Sequence, residues 1–301
     1  MSGRLEDSAL FARVVELGSL RAAALEAGVE PSSISRRMTA LETRLGAKLL
    51  DRSGARTRPT EAGQRYHAAM RGLMGQIEAV ESEISGETLR PSGRLRVAAS
   101  IDFGQAHVAP WLLDFAREHP EVTPELLLDS RSVDLVRDDI DVAVRVARPP
   151  DSALMARKLA DVPRALFAAP SWLEKNPIET VADLAHKTQV FFHPEHRLRP
   201  LEITDPDGKL HRLPRGPGVS INAIASIVEA VKAGFGLTAG PLWSFHSALE
   251  AGEVVQVLPD HTLPVPPLMA LWRPAVVQPA VIRAFVTHIA ARAREVPGLT
   301  R

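Results

Sequence analysis

The chain has 301 residues, 45% hydrophobic and 24% charged, and its 36 basic and 36 acidic side chains leave no formal net charge. That length calls for two or three domains rather than one core, and the composition is that of a globular protein. The absence of cysteine excludes disulfides, thiolate metal sites and cysteine nucleophiles. No run approaches the roughly 18 unbroken apolar residues of a membrane helix. Residues 1–7 lack the basic-then-apolar pattern of a secretory signal, so a cytoplasmic location without a membrane partner is expected.

Zero net charge does not exclude nucleic acid, because phosphate contacts are local. Between Ser35 and Arg58 stand Arg36, Arg37, Arg44, Lys48, Arg52, Arg56 and Arg58, opposed only by Glu42 and Asp51.

Leu5, Ser8, Phe11, Ala12, Val15 and Leu17 mark the buried stripe of a first helix, ended by Gly18. Ser19 is the N-cap of a second short helix carrying Leu20, Ala23, Ala24 and Ala27, and Gly28 stops it. Pro31 suits the first turn of a third helix with Ile34, Met38, Leu41 and Leu45 inward. Three short helices joined this tightly make a helix-turn-helix. The third helix presents Ser32, Ser33, Ser35, Arg36 and Arg37, small hydroxyls and guanidiniums that suit close approach to a duplex. A solvated polar face on an ordinary helix is the competing reading of the arginines alone. The next segment, residues 49–60, is short, basic and turn-rich, as a two-stranded wing should be.

Several blocks in order, Ala22-Ala23-Ala24-Leu25-Glu26-Ala27-Gly28-Val29, Ser33-Ile34-Ser35-Arg36, Leu41-Glu42, Leu45-Gly46, Leu49-Leu50-Asp51-Arg52 and Thr60-Glu61-Ala62-Gly63, resemble the LysR-type regulators. The resemblance places Pro31, Ser32, Ser33, Ser35 and Arg36 at the DNA and Arg52, Arg56 and Arg58 in the wing. It implies a transcriptional regulator, with double-stranded promoter DNA as a partner, no cofactor, and RNA polymerase as a further partner for an activator.

From Thr60 to Ser85 the pattern is one long helix. Tyr66, Met70, Leu73, Ile77, Val80 and Ile84 alternate steps of four and three, the spacing of a coiled-coil seam. Packing on the helix's own domain is the alternative. In the resembled family this helix is the dimer contact, which implies a homodimer or homotetramer reading a pseudo-palindrome.

Gly86, Pro91, Ser92 and Gly93 mark a hinge, after which strands and helices alternate. Strands are expected over 95–99, 124–128 and 140–146, with helices over 108–118 and 133–137. A second α/β unit has a strand over 164–168, a helix opening at Pro170, a hairpin over 201–213 turning at Asp205-Pro206-Asp207-Gly208, a helix over 224–233 and a strand over 237–239. A strand over 268–272 and a helix over 279–294 return to the first unit. The rhythm implies a largely parallel sheet with helices on both faces. Further blocks, Gly93-Arg94-Leu95-Arg96-Val97, Ala109-Pro110-Trp111-Leu112, Asp141-Val142-Ala143-Val144-Arg145, Asp151-Ser152-Ala153-Leu154 and Ala233-Gly234-Phe235-Gly236-Leu237, extend the resemblance over nearly the whole chain. Ala147-Arg148-Pro149-Pro150 departs from the isoleucine-glycine turn usual in the family.

The expected fold class is therefore α/β: a winged helix-turn-helix (1–60), a linker and dimerisation helix with hinge (61–91), and a two-lobed effector domain (92–301) like the periplasmic binding proteins. Lobe I takes 92–163 and 265–301, and lobe II 164–264. A small-molecule effector is expected between the lobes. The resemblance points to Ser100, Ile101, Asp102 and Phe103 as its contacts, where a serine hydroxyl and helix amides suit a carboxylate. Ser130 and Arg131 approach from the same lobe, and Phe192, His193, Asn222 and Thr238, with the residues up to Pro241, from the other. Each of these residues would equally serve as a helix cap or a solvent-facing loop residue. His193 and His196 bring no third ligand, so no metal is expected. Gly234, Gly236 and Gly240 read as a helix stop and a close strand approach rather than a dinucleotide loop. No catalytic constellation assembles, so an enzyme, or a solute-binding protein with an added head, is the weaker alternative.

Overall fold

The structure is a computed structural model and describes residues 2–52, 56–85, 90–129, 133–146, 154–192, 199–275 and 277–301. Three helices open the chain: α1 (Ser2–Leu17), α2 (Leu20–Glu26) and α3 (Pro31–Leu45). They close on one core of Phe11, Val14, Ala23, Ala24, Ile34, Met38, Leu41 and Leu49. Burial of a side chain such as Phe11 contributes about 1.5–3 kcal/mol, so a head this small depends on each of them. Ser19 caps α2 by accepting the Ala22 N–H at 3.3 Å. Gly46 ends α3 in the left-handed region, φ 66°, which a side chain would resist.

The head departs from the expected stripes in detail. Leu5, Ala27 and Leu45 are exposed, whereas Val14 is fully buried. Leu5 lies in the first turn of α1 and Leu45 is the last residue of α3, both beyond reach of the small core, and Ala23 and Ala24 are the buried residues of α2.

The antiparallel pair β1 (Leu50–Asp51) and β2 (Arg58–Pro59) forms the wing. Its return limb is pinned by the Thr57 N–H on the Gly18 carbonyl, 3.1 Å. Thr60 then caps α4 (Glu61–Ser85), accepting the Gly63 N–H at 3.0 Å and donating to the Lys48 carbonyl at 2.7 Å.

Two α/β lobes follow. In the first, β3 (Gly93–Ala99), β4 (Val122–Leu128), β5 (Val142–Val146), β6 (Met155–Asp161) and β14 (Pro267–Trp272) make a sheet of order β4-β3-β5-β14-β6. In the second, β7 (Arg164–Ala168), β12 (Thr238–Pro241) and β13 (Val255–Val257) pair antiparallel, and β8 (Gln189–Phe192) pairs parallel with β11 (Gly218–Ile221). A parallel bridge from Gln189 to Leu237 joins β8 to the β12 edge. Both lobes thus run parallel, parallel, antiparallel, antiparallel across five strands. The sheets are mixed rather than largely parallel, because β14 and β7 each enter their sheet against the majority. The chain crosses between lobes at Val162-Pro163 and again before β14.

The helix expected over 108–118 starts seven residues earlier. It runs as Ile101–Phe103, a π-turn over Gly104–Val108 and Ala109–Glu118, together α5. The short helix expected over 133–137 is absent; residues 135–139 form a hydrogen-bonded turn instead, with Asp134 accepting the N–H groups of Val136 and Arg137. An Asx turn competes with helix where an aspartate can fold back on the next amides. The hairpin β9 (Leu201–Thr204) and β10 (Leu210–Leu213) and the helices Ile224–Lys232 and Ala280–Arg292 stand where expected. β6, β8, β11, β13 and the helix Leu242–Glu250 had no expectation.

Candidate functional site

The head carries its polar residues on one surface. Pro31, Ser32 and Arg36 are exposed at the start of α3, with Ser33 and Ser35 half-buried beside them. Arg36 donates only a long 3.4 Å bond, to the Ser32 carbonyl, leaving most of its guanidinium outward. Arg56 and Arg58 are exposed in the wing. Arg37, expected beside them, donates to Asp7 at 2.6 Å and so ties α3 to α1. Arg52 reaches Ser35 Oγ and Glu42 Oε2, both at 3.4 Å, and so bridges wing and helix from within.

Glu42 is the buried centre of that bridge. One carboxylate oxygen accepts the Leu49 and Leu50 N–H groups at 2.8 and 3.0 Å. Burial alone would raise its pKa. The amides of Leu50 and Leu49, with the charges of Arg52 and Lys48, more than offset this and hold it below the ordinary 4.5. The wing is thereby clamped to the helix it flanks.

Along α4, Leu73, Ile77, Val80 and Ile84 are exposed, with Ile84 81% accessible, and Met70 is half-buried. Tyr66, expected in the same seam, points the other way. Its hydroxyl lies 2.6 Å from Ser8 Oγ and its ring 5.5 Å from Phe11. The start of the linker helix, through Tyr66, therefore packs on the head, and the apolar stripe is exposed from Leu73 onward.

Charged groups fasten α4 to the first lobe. Arg71 donates to Asp141 just before β5 and stands 3.9 Å from Asp139, whose other oxygen Arg94 of β3 holds at 3.1 Å within the lobe. Buried His67 stands 3.7 Å from Asp139 and 3.9 Å from Glu16, in reach of charge but beyond a hydrogen bond.

Between the lobes lies a cavity of about 420 Å³. Ser100, Ile101, Asp102, Phe103, Phe192, Asn222 and Thr238, all expected there, line it. Ser130, Arg131 and His193 lie outside the described residues, as do His196 and the 147–150 turn. Thr238 and Asp102 are already engaged. The Thr238 hydroxyl donates to the Val190 carbonyl at 2.7 Å. Asp102 accepts the Ile224 and Ala225 N–H groups at 2.7 and 3.2 Å, capping from the first lobe a helix whose own N-cap residue, Ala223, has no side-chain acceptor. Ser100 stands at the N-cap of α5 without a side-chain bond.

The first turn of α5 gives the cavity one wall, and the π-turn behind it packs aromatic rings against that wall. His107, behind the lining, stands 4.8 Å from Phe103 and 5.3 Å from Trp243, which reaches in from the second lobe's helix Leu242–Glu250. Burial lowers the His107 pKa and keeps the ring neutral. Gly240 passes so near Phe245 that a Cβ there would meet the ring at 2.6 Å, the close approach expected of this glycine.

Two family profiles cover most of the chain. Residues 5–64 match the bacterial regulatory helix-turn-helix protein, lysR family, and residues 89–294 match the LysR substrate binding domain. The chain belongs to the LysR family of transcriptional regulators. An HTH-type transcriptional regulator of Xanthomonas campestris pv. campestris is 31% identical over 97% of this chain and 86% of its own length. The HTH-type transcriptional activator AaeR of Escherichia coli K12 is 32% identical over 89% and 87%. The full-length Vibrio cholerae virulence activator AphB superposes with a TM-score of 0.60 at 28% identity, covering 95% of this chain and 98% of that one.

In this LysR-type regulator the sequence reading missed cavity residues that matter chemically. Arg145, Arg164, Trp243 and Phe245 also line the space. Arg145 had a usable signal, since it interrupts the apolar run of β5 at the strand's carboxyl end, where α/β clefts form. Arg164 opens β7 and carried no comparable mark. Trp243 lies on the helix that the apolar pattern did not delimit. Among the described residues no cluster of His, Asp or Glu could hold a metal ion, and no helix is long and apolar enough to cross a membrane.

Proposed function

We propose that this LysR-type regulator is a two-fold reader of promoter DNA, switched by a small molecule in the interlobe cavity. The observation that carries the reading is the outward N-terminal turn of α3, flanked by exposed wing arginines. Pro31, Ser32, Ser33, Ser35 and Arg36 enter the major groove, where a guanidinium reads guanine edges. Arg56 and Arg58 hold the phosphate backbone and set register rather than sequence. Arg37 and Arg52 orient α3 and the wing, a positioning role in place of the direct contact expected from sequence.

The partner of the exposed stripe Leu73, Ile77, Val80 and Ile84 is the same stripe of a second copy. The boundaries that suit this division are a head over 1–60, a linker over 61–91 and an effector domain over 92–301, its lobes divided at 163/164 and 264/265. Movement of one lobe against the other reaches the head through Arg71 and Asp141. An effector shifts that equilibrium only by its differential affinity for the two arrangements.

Footprinting on the DNA upstream of the protein's own coding sequence tests the reading. Two protected half-sites, one helical turn or a multiple apart, are expected. Protection without two-fold spacing would reject the dimeric reader.

A further inference from the structure

The cavity holds two arginines, one from each lobe, that its own carboxylate does not neutralise. Arg145, on β5, donates one terminal N–H to the Asp129 carbonyl at 2.6 Å. Its Nε and other terminal nitrogen are buried and have no hydrogen-bond partner among the described residues. Arg164, opening β7, donates to the Ala239 carbonyl at 2.9 Å. Among the described residues neither forms a close ion pair, although the charge of Asp129 favours the Arg145 cation. Asp102 is the acidic residue in the lining, and its Oδ1 is engaged by Ile224 and Ala225. Burial lowers the pKa of both guanidiniums, and for Arg145 the charge of Asp129 offsets this only in part. A guanidinium remains charged through any such shift.

Buried unpaired N–H donors on a cation are costly, and native proteins keep them where a ligand completes the set. A carboxylate is the group whose two oxygens match the guanidinium fork. The rest of the wall is largely apolar, with Ile101, Phe103, Phe192, Ile227, Trp243 and Phe245 outweighing Ser100, Asn222 and Thr238. About 420 Å³ lies toward the small end of ligand cavities and accommodates a ring-sized body.

We propose that Arg145 and Arg164 are the anion anchor of this cavity, and that the ligand is a carboxylate borne on an apolar, ring-sized body. This rests on the cavity being the effector site. It relocates the carboxylate contact from the α5 amides near Ser100, the place expected from sequence, to a pair of side chains that belong to different lobes. An anion held by both arginines links the lobes directly, so binding and lobe closure become one event.

Calorimetry and thermal shift on the full chain, with matched acids and amides, test the proposal. The probes are benzoate with benzamide, 3-phenylpropanoate with 3-phenylpropanamide, and succinate as a polar dianion. At least one aromatic acid is expected to bind roughly tenfold or more tightly than its amide, and to raise the melting temperature. Arg145→Gln and Arg164→Gln should each weaken that acid by about tenfold or more while leaving the weak amide binding unchanged. Should a variant fail to fold, the wild-type comparison of acid with amide still decides. Equal binding of acid and amide would overturn the anchor while leaving the cavity a ligand site. Tighter binding of succinate than of either acid would overturn the apolar body. No binding of either aromatic acid would overturn the ligand class, and the effector reading then stands or falls separately on whether other small molecules change DNA occupancy.

Discussion

Asp102 in the first lobe accepts the backbone N–H of Ile224 in the second at 2.7 Å, so one lobe caps a helix of the other. Ala223, at the N-cap itself, offers no acceptor. Removing the carboxylate should cost about 0.5–2 kcal/mol, as the loss of an N-cap does, and should loosen the lobes. Asp102→Ala is expected to lower the urea midpoint and to alter the emission of Trp243, which spans the same seam. Asp102→Asn keeps an acceptor and should lose less. Unchanged stability and emission in Asp102→Ala would show that the bond does not hold the lobes.

Glu42 ties the wing to α3 through the N–H groups of Leu49 and Leu50. Glu42→Ala strands two buried donors, and a cost of about 1–3 kcal/mol is expected. The pH dependence has a fixed sign. The folded pKa is below the ordinary 4.5, so the stabilisation is complete above that value and is lost as pH falls through the folded pKa. Unfolding curves of wild type and Glu42→Gln should therefore converge in acid and diverge above pH ~5. A gap that stays constant with pH would assign the effect to shape alone.

The stripe on α4 predicts its own disruption. Leu73→Glu with Ile77→Glu places like charges at a two-fold seam and should convert dimer to monomer by light scattering, with weaker DNA binding in parallel. Tyr66→Phe should instead leave assembly unchanged and lower the stability of the head, since its hydroxyl contacts Ser8 within the same chain. Monomerisation by Tyr66→Phe would contradict this division of the helix.

Arg56→Ala and Arg58→Ala should each weaken all duplexes alike and flatten the slope of log K against log salt by about 0.9. A change in sequence preference in either variant would move that arginine from the backbone to the bases.

The head was legible in the sequence because helix stops, a serine cap and apolar spacing act locally. Ser19, Gly28, Gly46 and Thr60 each do what their chemistry dictates within a few residues. The cavity was legible at Asp102, Asn222 and Thr238 because strand ends in such folds converge. The pairings of Asp102 with Ile224, and of Tyr66 with Ser8, span 122 and 58 residues, and no local pattern carries them. The mixed sheets escaped for the same reason: β14 enters the first sheet antiparallel only after the whole second lobe has been laid down. Arg145 and Arg164 acquire meaning as a pair only when the two lobes face each other.

The most direct test compares wild type with Arg36→Ala by fluorescence anisotropy, on the duplex upstream of the coding sequence and on a shuffled duplex of equal length and composition. Wild type should prefer the upstream duplex by about a thousandfold or more at physiological salt. Arg36→Ala should lose about 1–3 kcal/mol of that discrimination while keeping its affinity for the shuffled duplex. Equal wild-type affinity for the two duplexes, or full selectivity in Arg36→Ala, would contradict α3 as the reader of sequence.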